Sequence, residues 1–264
     1  MNYYPIILPK NLSIKSKNDG LYLQIRDLGD IGITLNQTAS NIFKHCDGKH
    51  SISDIVEFLN KEFNIPESNN DTIFRDVMNT LKEINKYGIL AWKSQDNPFL
   101  KKHSFGDISI TEITLDTLYL LHKNFKYTLS DSFLDIEKNK NLEYFKHGIF
   151  SNILKFLYVE KCNKPVLLTK FQLTDYTKIW NLFQISYNEK LSSEDYNAIF
   201  SHFKEILKNG VYKESNISEF GVSFHSDKDP LILKDMNFKQ IAKLDNEILN
   251  TTVNLFMKTI IIKD

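Results

Sequence analysis

The chain has 264 residues, of which 42% are hydrophobic and 25% are charged, and this composition is typical of a globular protein. The 33 basic and 33 acidic residues cancel, so no long-range field attracts nucleic acid or an anionic membrane. Partners must therefore be recognised through local shape and chemistry. The length is sufficient for two domains.

Cys46 and Cys162 are the two cysteines, and neither belongs to a Cys-x-x-Cys pair or a Cys/His cluster. We therefore expect reduced thiols, no metal site and a cytoplasmic location. The apolar run at residues 6–8 is too short for a signal peptide, and no run approaches the roughly 20 apolar residues of a membrane span. The sequence predicts neither a membrane partner nor a nucleic-acid partner.

The first third of the chain predicts a hairpin, a short strand and three helices. Residues 11–15 and 21–25 alternate like half-buried strands around the turn at 18–20, and a further short strand covers 32–35. Asn36 is suited to cap a first helix that stops at Asp47-Gly48. Apolar residues at helical spacing predict a second helix up to Phe63 and a third from Asp71 to Gly88.

Three motifs occur along this segment: LNQTA at 35–39, DGKHSISDI at 47–55 and YGIL at 87–90. In this order and at these distances, they resemble the PqqD-like family, also called RiPP recognition elements, over roughly residues 5–92. The resemblance implies a small winged-helix-like domain that binds the leader segment of a ribosomally made precursor peptide. It also implies that the leader adds a strand to the sheet edge and lies against the third helix, which is β-augmentation.

On this chain the resemblance assigns leader binding to two groups of residues. The sheet edge would be the strand at 32–35, with Ile33, Thr34 and Leu35, and the groove wall would be Val77, Leu81 and Ile84 of the third helix. An apolar helical stripe is usually core, however, so at least half of the stripe is expected to be structural. The acidic and basic residues of this helix nearly balance, and this disfavours the DNA binding that a winged helix also allows.

The rest of the chain predicts a mixed α+β domain. A polar stretch at 93–106 reads as a linker, so the expected domains are 1–92 and 107–264. A strand at 107–113 and a helix from Leu115 precede a mostly helical region at 127–150. An antiparallel meander follows, with strands at 154–159, 165–171 and 178–185. A helix capped by Ser192, a strand at 220–224, a short helix at 230–236 and two strands at 238–241 and 253–258 complete the domain.

This succession is similar to the GNAT fold of acyl-CoA-dependent N-acyltransferases, a mixed sheet flanked by helices. The resemblance implies acetyl-CoA or another acyl-CoA as cofactor, held by the loop after the fourth strand, where Ser186, Asn188 and Lys190 are the candidate ligands. The loop departs from the family because it has no glycine and carries acidic residues. The tyrosine that often acts as general acid in the family would fall near Leu233, which has no proton to donate.

Two residues are candidates for proton transfer near the expected cleft. His225, at the end of the fifth strand, carries an imidazole, the side-chain type best matched to proton transfer near neutral pH, although a partly exposed loop histidine is the simpler interpretation. Tyr187 is a candidate replacement for the absent tyrosine. The sequence contains no nucleophile elbow, phosphate loop or zinc-protease motif.

The sequence leaves two functions open. In the first, the protein binds a precursor leader and the second domain acylates an amine of the same peptide. In the second, the GNAT-like domain has lost coenzyme A binding, and the protein is a leader-binding scaffold or a partner of another peptide-modifying enzyme.

Overall fold

The computed structural model describes residues 3–10, 12–28, 31–66, 69–93, 97–130, 142–173, 179–208, 219–226, 231–246 and 251–261. The chain forms two compact units. The first comprises residues 1–100 and 114–118, and the second comprises residues 101–113 and 119–264. The fold is mixed α+β, with the larger sheet in the second unit.

The first unit contains two small sheets and three helices. Its elements are β1 (Pro5–Ile7), β2 (Leu12–Lys17), β3 (Gly20–Ile25), β4 (Ile31–Asn36), α1 (Gln37–Lys44), α2 (Ile52–Glu62), α3 (Asn70–Asn85) and β5 (Leu90–Trp92). One antiparallel sheet has the order β2-β3-β4, and β1 pairs with β5. The predicted hairpin, short strand and three helices are therefore present.

Side-chain caps fix where the first two helices begin. Asn36 accepts a hydrogen bond of 2.8 Å from the Ala39 N–H at the start of α1, as its position predicts. At α2, Ser51 and Asp54 form a capping box, in which each side chain accepts from the backbone N–H of the other residue. Helix α3 has no such side-chain cap. Its position depends instead on the burial of its apolar side, where Val77 and Leu81 are fully buried.

The second unit is built on a nine-stranded sheet. Its elements are β6 (Lys102–Phe105), β7 (Ile108–Glu112), β8 (Tyr127–Ser130), α4 (Leu142–Phe150), β9 (Leu154–Lys161), β10 (Lys164–Leu173), β11 (Trp180–Tyr187), α5 (Ser193–Lys208), β12 (Glu219–Ser226), α6 (Leu231–Asp235), β13 (Lys239–Asn246) and β14 (Thr251–Ile261). The order is β13-β14-β12-β11-β10-β9-β7-β6, and β8 pairs with β11. The strands β9, β10 and β11 form the predicted antiparallel meander.

The main core of the second unit lies between its sheet and α5. Alternate residues of the central strands point towards α5, and the ring of Phe171 on β10 meets Phe203 of α5 edge to face. The opposite face of the sheet carries α4, whose Phe145 packs against Phe156 of β9. A buried ion pair between Lys155 and Glu112 joins β9 to β7.

Several elements differ from the sequence-based prediction. Lys102–Phe105, inside the predicted linker 93–106, forms β6, because the turn with Gly106 at a φ of +55° pairs it with β7. Tyr127–Ser130 is a strand rather than a helix, because it pairs with β11. Leu115–His122 is a 3₁₀ helix, which begins with a hydrogen bond from the Thr117 N–H to the Thr114 carbonyl. The predicted helical content of 131–141 and the predicted helix end at 209–210 lie outside the described residues.

Within the part of the chain that the structure describes, no helix combines the length and the hydrophobicity that a membrane span requires.

Replacing the capping serine tests the start of α2. We expect Ser51→Ala to lower the free energy of unfolding by about 1 kcal/mol, because the Asp54 N–H loses its acceptor at a buried helix end. Urea unfolding measures the change. Ser53→Ala is the matched control, since Ser53 is exposed in the first turn of the same helix and should change stability by less than about 0.5 kcal/mol. Equal effects of the two variants would contradict the capping assignment.

Candidate functional site

The first candidate site is the open edge of β4. In the sheet β2-β3-β4, β4 pairs with β3 on one side only, so it is an edge strand of this sheet. The other edge strand, β2, carries Lys15 and Lys17, whereas β4 has no charged residue. Charged residues on an edge strand disfavour pairing with a further strand. Of the two edges, β4 is therefore the one suited to accept a strand.

The turn between β2 and β3 determines which backbone groups of β4 point outwards. Two residues connect Lys17 to Gly20, so these two form a hydrogen-bonded pair, and such pairs alternate along antiparallel strands. Leu21, Leu23 and Ile25 of β3 therefore bond to β4. Their partners across the ladder are Leu35, Ile33 and Ile31.

The intervening residues of β4, Gly32 and Thr34, thus direct their N–H and C=O groups to the open side. The surroundings of Gly20 agree, because a Cβ there would overlap the Leu35 carbonyl oxygen, which must then point towards β3. Gly32 also has no room for a side chain, since a Cβ would overlap the ring of Tyr22. Thr34 is exposed and Ile33 is half-buried. An incoming strand would meet Gly32 and Thr34 through its backbone.

The α3 residues that were expected to form the groove wall are buried in the structure. Val77 and Leu81 are 0% exposed and Ile84 is 3% exposed, so these three side chains belong to the core of the first unit. Leu35 is likewise buried, at 7% exposed. The sequence shows the apolar stripe of α3 but not which of its members the other helices cover. Among the apolar residues of α3, Phe74 is exposed.

Phe74 borders a cleft of about 590 Å³ between α2 and α3. The apolar part of its lining is Val56, Ile65 and Phe74. The polar part is Ser53, Glu57, Asn60, Lys61, Asn70 and Asp71. Lys61 and Glu57 form an exposed ion pair of 2.5 Å at its rim. The exposed apolar surface of α3 therefore faces α2.

In the second unit, the loop after β11 does not form a phosphate cradle. Ser186 is buried, accepts 2.9 Å from the Gln184 amide and lies 3.1 Å from the Thr128 hydroxyl. Asn188 donates 2.7 Å to the Pro165 carbonyl and accepts 2.9 Å from the Lys126 N–H. Its own N–H bonds to the Val166 carbonyl. Both side chains thus hold the loop to its neighbouring strands.

The charges near the start of α5 are also paired within the unit. Lys190 forms an ion pair of 3.1 Å with Asp235, and Lys161 forms one of 2.8 Å with Asp195. Ser192 accepts from the Asp195 N–H and so caps the helix. The Lys161 ammonium lowers the pKa of the Asp195 carboxyl. An anion docking here would meet the carboxylates of Asp195 and Asp235, and the Lys161 and Lys190 ammonium groups are already paired with them. Ser186, Asn188 and Lys190 therefore do not fit the phosphates of acyl-CoA.

Two other strands, β12 and β8, pair with β11 along the edge where a ligand could bind to its backbone. β12 runs parallel to β11 and pairs with it at Trp180 and Asn181. From Gln184 to Tyr187, β8 pairs with β11 instead. The sequence does not predict β8, because its partner strand lies more than 50 residues away along the chain. Any ligand that binds this stretch of backbone must displace β8.

The two candidates for proton transfer lie on different strands. Tyr187 is the last residue of β11, where its half-buried ring stacks on Tyr127 of β8, with centroids 5.1 Å apart. His225 is half-buried on β12 and pairs in register with Leu255 of β14. Neither side chain is shown to touch a reacting group. Within the described ranges, no three His, Cys, Asp or Glu side chains are grouped so that they could hold a metal ion.

The burial of α3 gives a direct test of which residues are core. We expect Leu81→Ala to lower the free energy of unfolding by about 3 kcal/mol, since it leaves a cavity beneath a fully buried side chain. Phe74→Ala on the same helix should cost less than about 1 kcal/mol, because Phe74 is 45% exposed. Urea unfolding of both variants makes the comparison. If the Leu81→Ala protein were as stable as the parent, the assignment of Leu81 to the core would be wrong.

Comparison with known proteins gives one family model and a set of solved structures. Residues 27–90 match the model of the family described as coenzyme PQQ synthesis protein D (PqqD). The search of curated proteins gave no match.

The solved structures that match this chain include three acetyltransferases. The ribosomal-protein-S5-alanine acetyltransferase from Vibrio fischeri is 11% identical, with a TM-score of 0.35, and the match covers 62% of this chain and 97% of that one. An acetyltransferase of the GNAT family from Bacillus cereus is 14% identical, with a TM-score of 0.37 and coverage of 58% and 97%. An acetyl transferase from Salmonella typhimurium, which modifies the N-terminal serine of 50S ribosomal subunit protein L7/L12, is 13% identical, with a TM-score of 0.38 and coverage of 59% and 96%.

These identities and TM-scores are too low to assign an activity, a cofactor or a site to the second unit. The family match is specific to the first unit and covers β4 and the three helices. Residues 27–90 of this chain are therefore PqqD-like, as the motifs LNQTA, DGKHSISDI and YGIL predict.

Proposed function

We propose that the protein binds the leader segment of a ribosomally made precursor peptide and holds it for modification. The leader adds an antiparallel or parallel strand to β4, through the outward N–H and C=O groups of Gly32 and Thr34. The open, uncharged edge of β4 within the PqqD-like segment is the observation that carries the proposal. The winged-helix-like description of this unit belongs to the same proposal.

Backbone pairing and side-chain contacts contribute different parts of the binding. The outward groups of β4 bond to any extended peptide, which gives affinity with little selectivity. Half-buried Ile31 and Ile33 point to the inner face of the sheet, where the side chains of the added strand would pack beside them. Selectivity therefore comes from alternate apolar residues of the leader.

A proline at the outward position tests the added strand. We expect Thr34→Pro to weaken leader binding about tenfold, or about 1.4 kcal/mol, because it removes one outward N–H and leaves the pairing of β4 with β3 intact. The measurement is fluorescence anisotropy with labelled synthetic peptides that correspond to the leader segments of candidate precursor peptides.

The other edge of the same sheet provides the matched control. Ser16→Pro removes an outward N–H from β2, so it carries the same backbone change at the edge where no leader is proposed to bind. Binding should stay at the parent value, and thermal melting checks that both variants fold. Equal weakening by the two prolines, or no weakening by Thr34→Pro, contradicts docking at β4.

For the second unit, we propose a scaffold that holds the peptide or contacts another peptide-modifying enzyme without using acyl-CoA. The internal pairing of Ser186, Asn188 and Lys190 supports this proposal. The second candidate function is acyl transfer to an amine of the bound peptide. It is supported by the mixed sheet, in which β11 and β12 pair in parallel and α6 follows β12. This is the element order of the resemblance.

Acyl-CoA binding separates the two candidates. We expect acetyl-CoA and longer acyl-CoAs to leave the melting temperature of the full chain unchanged, because the side chains of Ser186, Asn188 and Lys190 are already paired within the unit. A ligand present at a hundredfold over its dissociation constant would add about 2.7 kcal/mol. A clear rise in melting temperature would contradict the scaffold proposal and favour an acyl-CoA-dependent transferase. Melting followed by circular dichroism, without any reporter dye, controls for effects of the ligands on a dye-based readout.

A further inference from the structure

The second unit contains a buried lysine that the proposed function does not use. Lys170 lies in the middle of β10, next to Phe171. Because neighbouring residues of a strand point to opposite faces and Phe171 packs on α5, Lys170 points to the face that carries α4. Its side chain is 7% exposed. Its Nζ lies 5.1 Å from the ring centroid of Phe145 and 5.9 Å from that of Phe156.

Lys170 differs from the other buried lysine of the same sheet. Lys155, which is 4% exposed, forms an ion pair with Glu112. Among the residues that the structure describes, no carboxylate lies within ion-pair distance of the Lys170 Nζ. Two aromatic faces are a weaker substitute for a carboxylate. A buried cation without a counter-ion is costly and is uncommon where it has no function.

The environment of Lys170 favours the neutral amine. Burial lowers the pKa of Lys170 to about 8. Phe145 of α4, Phe156 of β9 and Gln184 of β11 face it, and none of these three side chains ionises. About half of such a lysine is neutral at pH 8, whereas well under about 1% of an exposed lysine is. The neutral amine is the nucleophilic form.

A row of side chains leads from Lys170 towards solvent. Cross-strand partners lie on the same face of a sheet, and Lys170 faces Gln184 of β11, which faces Ser130 of β8. Gln184 is half-buried and Ser130 is exposed. The Gln184 amide donates to Ser186, which lies against Thr128. The row thus has one amine at its buried end and neutral hydrogen-bonding groups along its course.

We propose that Lys170 is a reactive amine that forms a Schiff base with the carbonyl group of a small aldehyde or ketone, which approaches along the row from β8. The neutral nitrogen adds to the carbonyl carbon, and the carbonyl oxygen leaves as water with the two amine protons, so that a C=N bond replaces the C=O bond. The rings of Phe145 and Phe156 border the site and disfavour charged carbonyl compounds.

Reductive trapping tests this site on the full chain. The protein is treated with acetaldehyde and sodium cyanoborohydride, which supplies the hydride that converts the imine to a stable secondary amine, and peptide mass spectrometry locates the adduct. At pH 7.5 we expect Lys170 to be modified at least fivefold faster than exposed lysines such as Lys61 and Lys86. The rate at Lys170 should level off above pH 8, while the rates at exposed lysines continue to rise.

Lys258 is the matched comparison within the same protein. Burial also lowers its pKa to about 8, but its Nζ donates 2.7 Å to the Met236 carbonyl and lies over the ring of Phe200. Lys258 is thus engaged in the fold, and we expect it to be modified more slowly than Lys170. An unmodified Lys170, or one that reacts no faster than exposed lysines and Lys258, overturns the proposal.

The variant Lys170→Met provides a second readout. A lysine kept for reactivity should be replaceable by an apolar residue of similar length without loss of stability, so the melting temperature should stay equal or rise. Because the folded-state pKa lies below the unfolded value, the advantage of Lys170→Met should shrink as the pH rises from about 8 to about 10.5. A clear fall in melting temperature at pH 7 would mean that the amine stabilises the fold, and this result would also overturn the proposal.

Discussion

The alternation of backbone hydrogen bonds along the strands is the constraint on which both candidate sites depend. In the first unit, the two-residue turn before Gly20 sets this alternation for β3, and β3 passes it on to β4. Gly32 and Thr34 face outwards because of a turn that lies on the far side of the sheet.

In the second unit the same requirement decides what β11 can bind. A strand inside a sheet needs a partner on both sides, and β11 obtains its second partner in two pieces, from β12 and from β8. The side chains at the end of β11 follow this arrangement. Asn188 bonds to the segments beside it, and Tyr187 stacks on Tyr127. A phosphate cradle would require these groups to be free, so the local pairing of β8 and the absence of a cofactor cradle are parts of one arrangement.

The sequence was sufficient for features that depend on near neighbours. Asn36 as a cap, the turn at 18–20 and the meander of β9, β10 and β11 all follow from residues close together in the chain. The strand β8 does not, because Tyr127–Ser130 is polar and short and becomes a strand only through a partner at 184–187. Likewise, the apolar stripe of α3 is visible in the sequence, but coverage by α1 and α2 decides that Leu81 is buried and Phe74 is not. Lys170 lies inside an apolar run of the sequence. The structure distinguishes it from Lys155 because, among the described residues, no carboxylate pairs with it.

Because β4 carries no charge, its open edge can pair with the wrong partner when no peptide is bound. An edge that accepts one extended backbone accepts others, including β4 of a second molecule, and two such edges related by a twofold axis would form a continuous six-stranded sheet. Lys15 and Lys17 disfavour such pairing at β2. Lysines on β4 would also disfavour pairing with the proposed leader. On the proposed function, a bound leader would compete with self-association at this edge, and the supply of precursor peptide relative to the protein would determine how much of the protein stays monomeric.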